Sequence, residues 1–303
     1  VKSNNTFFNI LVSYAWLGGS GGFTKNIFNA HKQGDINLMI DSGAFTLFNA
    51  ANKTSYKHIT LDQYCNFLSI YGNDCEKYVM LDKIADEKQS KENYEEMLRR
   101  GLNPMFVLTM FDNDMSYLKN AVENNRHICV AGGVTTKGDW LIKRFQDVYN
   151  ETNAWIHGLG YVTYPKMFQL PLKSVDSSSW AQSSMMFGAI SWFDNGLKNI
   201  PYKDILTKKK AIPEKVIELL EKLKVTPKVF SNLDTHRGGI NLEILMSVIA
   251  WFEYQKVAKR QGLDLFLSIG NDSQLQQMLY INDELQAGTL TYEGYKNRIK
   301  SGN

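Results

Sequence analysis

Three short apolar runs in this chain end on an aspartate. NLMIDS carries Asp41, KYVMLD carries Asp82 and SVDSS carries Asp176. A carboxylate at the end of a buried strand can serve as a nucleophile, a proton carrier or an acceptor for a polar ligand. Asp41 leads directly into Ser42-Gly43-Ala44-Phe45. An acid followed by Ser-Gly can offer both its side chain and a small backbone loop to a ligand. The same string also suits a plain strand-to-helix turn capped by the acid. Asp82 has the same two readings, and the serines after Asp176 also fit a polar turn.

Metal chemistry has no comparable signature. The chain holds three cysteines, Cys65, Cys75 and Cys129, with no C-x-x-C pair, and its five histidines form no H-x-x-H or H-E-x-x-H spacing. An odd, scattered set of cysteines fits reduced thiols in a cytoplasmic protein, and neither a metal nor a cofactor is expected. Two basic features stand apart from the aspartates: the Lys208-Lys209-Lys210 triplet and the polar loop Asp234-Thr235-His236-Arg237-Gly238-Gly239. Each reads either as a solvated surface or as a contact for a nucleic-acid backbone.

For the three aspartates to meet, the runs that carry them must be strands of one sheet. Seven runs qualify: 8–16, 37–42, 77–82, 104–110, 127–133, 154–160 and 174–178. Their length and richness in Val, Ile, Leu and aromatics predict buried parallel strands. Intervening stretches such as SKENYEEMLRRG (90–101) carry acids early, arginines late and a closing glycine, which predicts helices. This alternation predicts an α/β fold, a (β/α)8 TIM-like barrel whose strands converge their C-terminal ends on one face. The eighth strand is ambiguous, with 184–193 as one candidate. Beyond residue 200 the spacing turns helical at 212–224, 240–262 and 272–288. Residues 1–303 are therefore expected to form one barrel domain, with 200–303 a mainly helical part packed on it.

Bulk properties set the frame. At 303 residues, with 44% hydrophobic and 21% charged, the composition is that of a globular protein with a sizeable core. Lys and Arg number 34 against 31 Asp and Glu, for a formal net charge of +3, so any nucleic-acid affinity must come from local clusters. No apolar stretch is long enough to span a bilayer, and VKSNNTFF lacks a charged-then-apolar leader pattern. The expectation is a cytoplasmic protein without membrane partners.

The landmarks also resemble a known family, in its order. Asp41-Ser42-Gly43-Ala44-Phe45 resembles the Asp-Ser-Gly-Gly-aromatic-Gln motif of the tRNA-guanine transglycosylase superfamily, with Ala44 and Thr46 as departures. VMLD ending at Asp82 resembles the strand whose Asp recognises the base. VAGGV around Gly132 and Gly133 resembles the strand end whose backbone touches the base. Residues 156–180 resemble the run from a Gly-x-Gly loop to the nucleophilic Asp. The likeness covers about residues 35 to 180.

The resemblance implies a reaction. Exchange of a base with retained configuration needs two displacements at C1′, as in retaining glycosidases, whose two carboxyls stand about 5–5.5 Å apart. It implies Asp176 as nucleophile and Asp41 as general acid/base. Asp82 would accept from the N1–H and amine edge of guanine, a task for an ionised carboxylate. Ser42 would be a further base contact, Phe45 and His157 would flank the flat base, and the family's Gln contact would fall near Thr109. The zinc subdomain of the tRNA enzymes is not expected, because no Cys follows Asp176. Together with Asp-Ser-Gly-Ala-Phe and the Val-Asp-Ser-Ser region, that departure brings the sequence closer to the DpdA-type branch of phages and bacteria, which inserts 7-deazaguanines such as 7-cyano-7-deazaguanine into DNA. The implied partners are guanine-containing DNA and the free base, with self-association left open. The alternatives are a tRNA-acting enzyme and a non-catalytic nucleic-acid-binding barrel.

Overall fold

The structure is a computed structural model, and it describes residues 8–17, 21–50, 59–109, 114–132, 138–181, 188–226, 230 and 242–300. The chain divides into two compact units. The first comprises the described residues within Val1–Ser177 and Ala258–Asp272, and the second those within Ser178–Val257 and Ser273–Asn303.

The first unit is the barrel. Seven of its strands follow the predicted runs: β1 (Phe8–Ser13), β2 (Ile36–Asp41), β3 (Lys77–Tyr78), β4 (Phe106–Leu108), β5 (His127–Ala131), β6 (Trp155–Leu159) and β7 (Leu172–Ser177). The eighth is Asp264–Ile269, which pairs in parallel with both β1 and β7. Around the sheet the order is β3, β2, β1, the eighth strand, β7, β6, β5 and β4. The two remaining edges then meet in a parallel bridge between Val79 and Met105, with Met80 N–H donating to Met105 O at 3.0 Å and Met105 N–H to Tyr78 O at 2.9 Å. The ring is closed, which removes both edges and turns every strand's C-terminal end toward one mouth.

The 184–193 run is not the eighth strand. Its described part forms β8 (Ala189–Phe193), which pairs antiparallel with β9 (Leu197–Pro201) in a separate hairpin of the second unit. Asn195 and Gly196 both take positive φ at its tip, a conformation those two residues accept at low cost. The true eighth strand lies inside the stretch read as helical. Gly262, at φ 76°, stops a long helix and LDLFLSI follows, so the punctuation for a strand is present in the sequence.

The crossover segments follow the chemistry of their ends. Helix α4 (Leu61–Tyr71) opens on a reciprocal capping box between Thr60 and Gln63. Helix α5 (Glu87–Arg99) opens on Asp86, which accepts from Gln89 N–H at 3.1 Å, and Gly101 follows it at φ 77°. The sequence places this helix three residues late at its start. Both faces of the barrel strands are buried, as in β1, where Ile10 and Val12 on one face and Leu11 on the other are all buried.

The second unit has its own apolar core. Helix Leu242–Arg260 buries nearly every side chain of its first two turns and beyond, including Leu245, Met246, Val248, Trp251 and Tyr254, so it lacks a polar face. Ser247 Oγ donates to Trp180 O at 2.6 Å, Phe193 stacks near Tyr254 at 5.2 Å, and Tyr202 donates to Phe230 O. Helices Asp272–Ala287 and Tyr292–Lys300 complete it, the latter fixed by Tyr292 N–H to Leu223 O at 3.0 Å. No helix among the described residues is long and apolar enough to cross a membrane.

Candidate active site

The mouth of the barrel is built from strand ends. Asp41 is the last residue of β2 and pairs in register with Ser13, the last of β1. Gly43 N–H donates to Asp41 Oδ2 at 3.0 Å, and the Ser13 hydroxyl lies near enough to favour the charged carboxyl. The chain then turns immediately into α3 (Ala44–Ala50). That turn requires glycine. Gly43 has φ 88°, and a Cβ there would stand 2.9 Å from Ser13 Oγ and 3.1 Å from Ala15 Cβ. Ser42 is fully buried, and its hydroxyl lies near enough to Asp82 to favour that carboxyl's charged form. The Asp-Ser-Gly string is thus both the turn and the link between two of the three aspartates.

Asp82 lies just beyond β3 and owes its position to α5. Asn93 Nδ2 donates to Leu81 O at 2.9 Å, and the Ser90 hydroxyl accepts from Lys83 N–H at 2.8 Å, so the helix holds the backbone on either side of Asp82. From the other side, buried Tyr64 donates to Val79 O at 2.7 Å.

Asp176 sits in β7 with its two oxygens in different surroundings. Oδ1 accepts from Gly160 N–H at 2.8 Å and lies 3.3 Å from His157 Nε2, while Oδ2 accepts from the Ser268 hydroxyl at 3.3 Å. His157, only 1% exposed, is engaged at its other nitrogen too, with Nδ1 at 2.7 Å from Ser174 Oγ. Ser174 and Asp176 are two residues apart on one strand and so share a face.

The electrostatics tie the three acids together. Burial pushes Asp41 up to about 6; the Gly43 N–H opposes this and the charge of Asp176 adds to it. Burial pushes Asp82 up to about 7, helped by the charge of Asp41 and opposed by its own backbone N–H and the Ser42 hydroxyl. Cys129 stands beside His157 in register, completely buried. Burial and then the charges of Asp41, Asp176 and Asp82 hold its thiol well above the ordinary range. One buried thiol therefore lies within electrostatic reach of all three carboxylates.

Asp41, Ser42, Asp82, His157 and Asp176 all belong to this mouth. Gly132 follows β5 at the same end of the barrel and is exposed, and Thr109 follows β4 half-buried. Phe45, on α3, is 57% exposed. Gly133, His236 and Arg237 lie outside the described residues. Lys208, Lys209 and Lys210 are exposed in the second unit, where Lys210 pairs with Asp204 at 3.4 Å. Sequence reasoning missed Ser13, Ser174 and Ser268. Ser13 lies inside the run 8–16, and the observed strand stops at it, three residues before the run does; Ser268 was hidden with its unrecognised strand. Among the described residues no group of three or more His, Cys, Asp or Glu side chains is arranged to hold a metal ion.

No protein-family model matches the chain, and no curated protein matches it either. The chemistry must therefore be argued from the residues. A carboxylate with polarised oxygens, beside two acids that titrate near neutrality, can attack an electrophilic carbon, protonate a leaving group and accept from a heterocycle's N–H edge.

Proposed function

We propose that this protein is a base-exchanging glycosyltransferase that replaces guanine in DNA with a 7-deazaguanine such as 7-cyano-7-deazaguanine. The observation that carries the reading is the convergence of Asp41, Asp82 and Asp176 from three strands at one barrel mouth, with Asp41 and Asp82 raised to about 6 and 7. The likeness of the four ordered landmarks to the transglycosylase superfamily points the same way.

In this reading Asp82 and Ser42 receive the Watson–Crick edge of guanine, with the backbone at Gly132 beside it. Asp176 attacks C1′, the C1′–N9 bond breaks, and Asp41 gives the departing base its proton. The incoming base surrenders its N9 proton to Asp41, its nitrogen attacks C1′, and Asp176 leaves. Two inversions give net retention, and Asp41 ends as it began. Because C1′ and the base edge are hidden in a duplex, the nucleotide must be extruded, at about a few kcal/mol.

The proton inventory suits this cycle. Donation from N1–H and the amine favours ionised Asp82, and that charge beside Asp41 keeps the proton on Asp41, where the leaving base needs it. Incubation with labelled 7-cyano-7-deazaguanine and either DNA or tRNA, followed by nucleoside analysis of both, tests the proposal. Label in DNA is the expected result. Label in tRNA alone would replace the substrate, and label in neither would overturn the reading.

A further inference from the structure

His157 occupies the place where the resemblance implied a residue flanking the base, yet both its ring nitrogens are committed within the barrel. It bridges Ser174 at 2.7 Å and Asp176 Oδ1 at 3.3 Å. An ionised carboxylate only accepts hydrogen bonds, so Nε2 carries the proton in the contact with Asp176. The Ser174 hydroxyl can donate or accept, so it holds Nδ1 in either protonation state and fixes the ring's orientation. The edge of Phe266 lies against the imidazole, with centroids 6.2 Å apart, and Cys129 stands beside it on β5. The acids whose charges reach this region are Asp176, Asp41 and Asp82.

The consequence concerns which oxygen of Asp176 reacts. Among the described residues Oδ1 has two N–H donors, from Gly160 and His157, whereas Oδ2 has the long contact to the Ser268 hydroxyl. Building on the proposed transglycosylase activity, we infer that His157 is a positioning residue that, with Gly160 N–H, reserves Oδ2 for attack on C1′ and stabilises Oδ1 when Asp176 departs. In the covalent intermediate Oδ2 is the ester oxygen bonded to C1′, and Oδ1 is the carbonyl oxygen. When the incoming base displaces the enzyme, the C1′–Oδ2 bond breaks and its electron pair spreads over both oxygens. Donors already aimed at Oδ1 strengthen as that charge develops, so they favour the second displacement above the first.

The test compares side chains that differ in reach. A glutamine at position 157 can bring its amide nitrogen to the place of Nε2, whereas an asparagine falls short of it. Phenylalanine keeps the ring volume but has no donor. His157→Gln should retain turnover within a few-fold of wild type. His157→Asn and His157→Phe should lose about 10–100-fold in kcat, the span of one hydrogen bond to a charged group, with KM for the free base little changed. Both should accumulate the covalent enzyme–DNA adduct on denaturing gels, because their second step slows most. A role in packing alone would lower the melting temperature without adduct build-up and without rescue by glutamine.

If wild type performs no exchange, the underlying reading fails and this inference fails with it. If wild type is active while Asn and Gln variants behave alike, or no adduct accumulates, only the role of His157 is overturned. Should the Phe variant not fold, the Gln–Asn pair, equal in polarity and differing by one methylene, still decides.

Discussion

At the scale of single residues, the site is governed by the cost of burying charge. Asp82 titrates at about 7 and Asp41 at about 6, both above the ordinary value of about 4. A group whose folded pKa is raised binds more protons folded than unfolded, so its stabilising contribution is complete below about pH 4 and is lost as pH rises through 6 and 7. Asp82→Asn removes that loss. The variant should melt at the same temperature as wild type at pH 4 and higher at pH 8, by scanning calorimetry across the range. An equal difference at both pH values would contradict the assigned burial cost. In the proposed function the same variant replaces an acceptor oxygen with a donor amide against the guanine edge. Its affinity for the free base should fall by roughly 10–100-fold, for about 1–3 kcal/mol of unmade hydrogen bonding, as titration calorimetry would read directly.

At the scale of elements, each acid is held by the segment that follows its strand. Gly43 is the point of least tolerance, with its φ of 88° and no room for a Cβ between Ser13 and Ala15. Gly43→Ala should cost about 1–3 kcal/mol, through strain and displacement of the turn, and lower the melting temperature by several degrees. It should also weaken the N–H contact to Asp41, so base exchange should fall more than stability alone explains. A variant with unchanged melting and unchanged exchange would show that the turn tolerates a side chain. This element was legible in the sequence because three constraints coincide in it: an apolar run, an acid and a glycine. Seven barrel strands were legible for a similar reason, since buried parallel strands read as continuous apolar runs between turn residues. Asp264–Ile269 was not, because it lies between two long helical patterns and its run of LDLFLSI is short enough to join either. Its loss concealed Ser268. The His157–Ser174–Asp176 linkage was beyond reach for another reason: a hydrogen-bond chain across two strands depends on register, and register between β6 and β7 shifts at Ile156/His157.

At the scale of the whole molecule, a ring of eight parallel strands gathers acids that are 135 residues apart in the chain, Asp41 and Asp176, onto one mouth. Closure comes from the Val79–Met105 bridge at one seam and from the late strand Asp264–Ile269 at another. The second of these lies only a few residues from the end of helix Leu242–Arg260, so the barrel is completed after the chain has traversed most of the other unit. In the proposed reaction Asp176 forms a covalent bond to C1′ at this mouth. The direct measurement is to mix the protein with guanine-containing DNA, quench in denaturant, digest both components and map the adduct by peptide mass spectrometry. A deoxyribosyl mass is expected on the peptide containing Asp176, absent from Asp176→Ala protein that retains the wild-type fold by circular dichroism. Exchange that proceeds in the Asp176→Ala protein, or an adduct mapped to another residue, would contradict it.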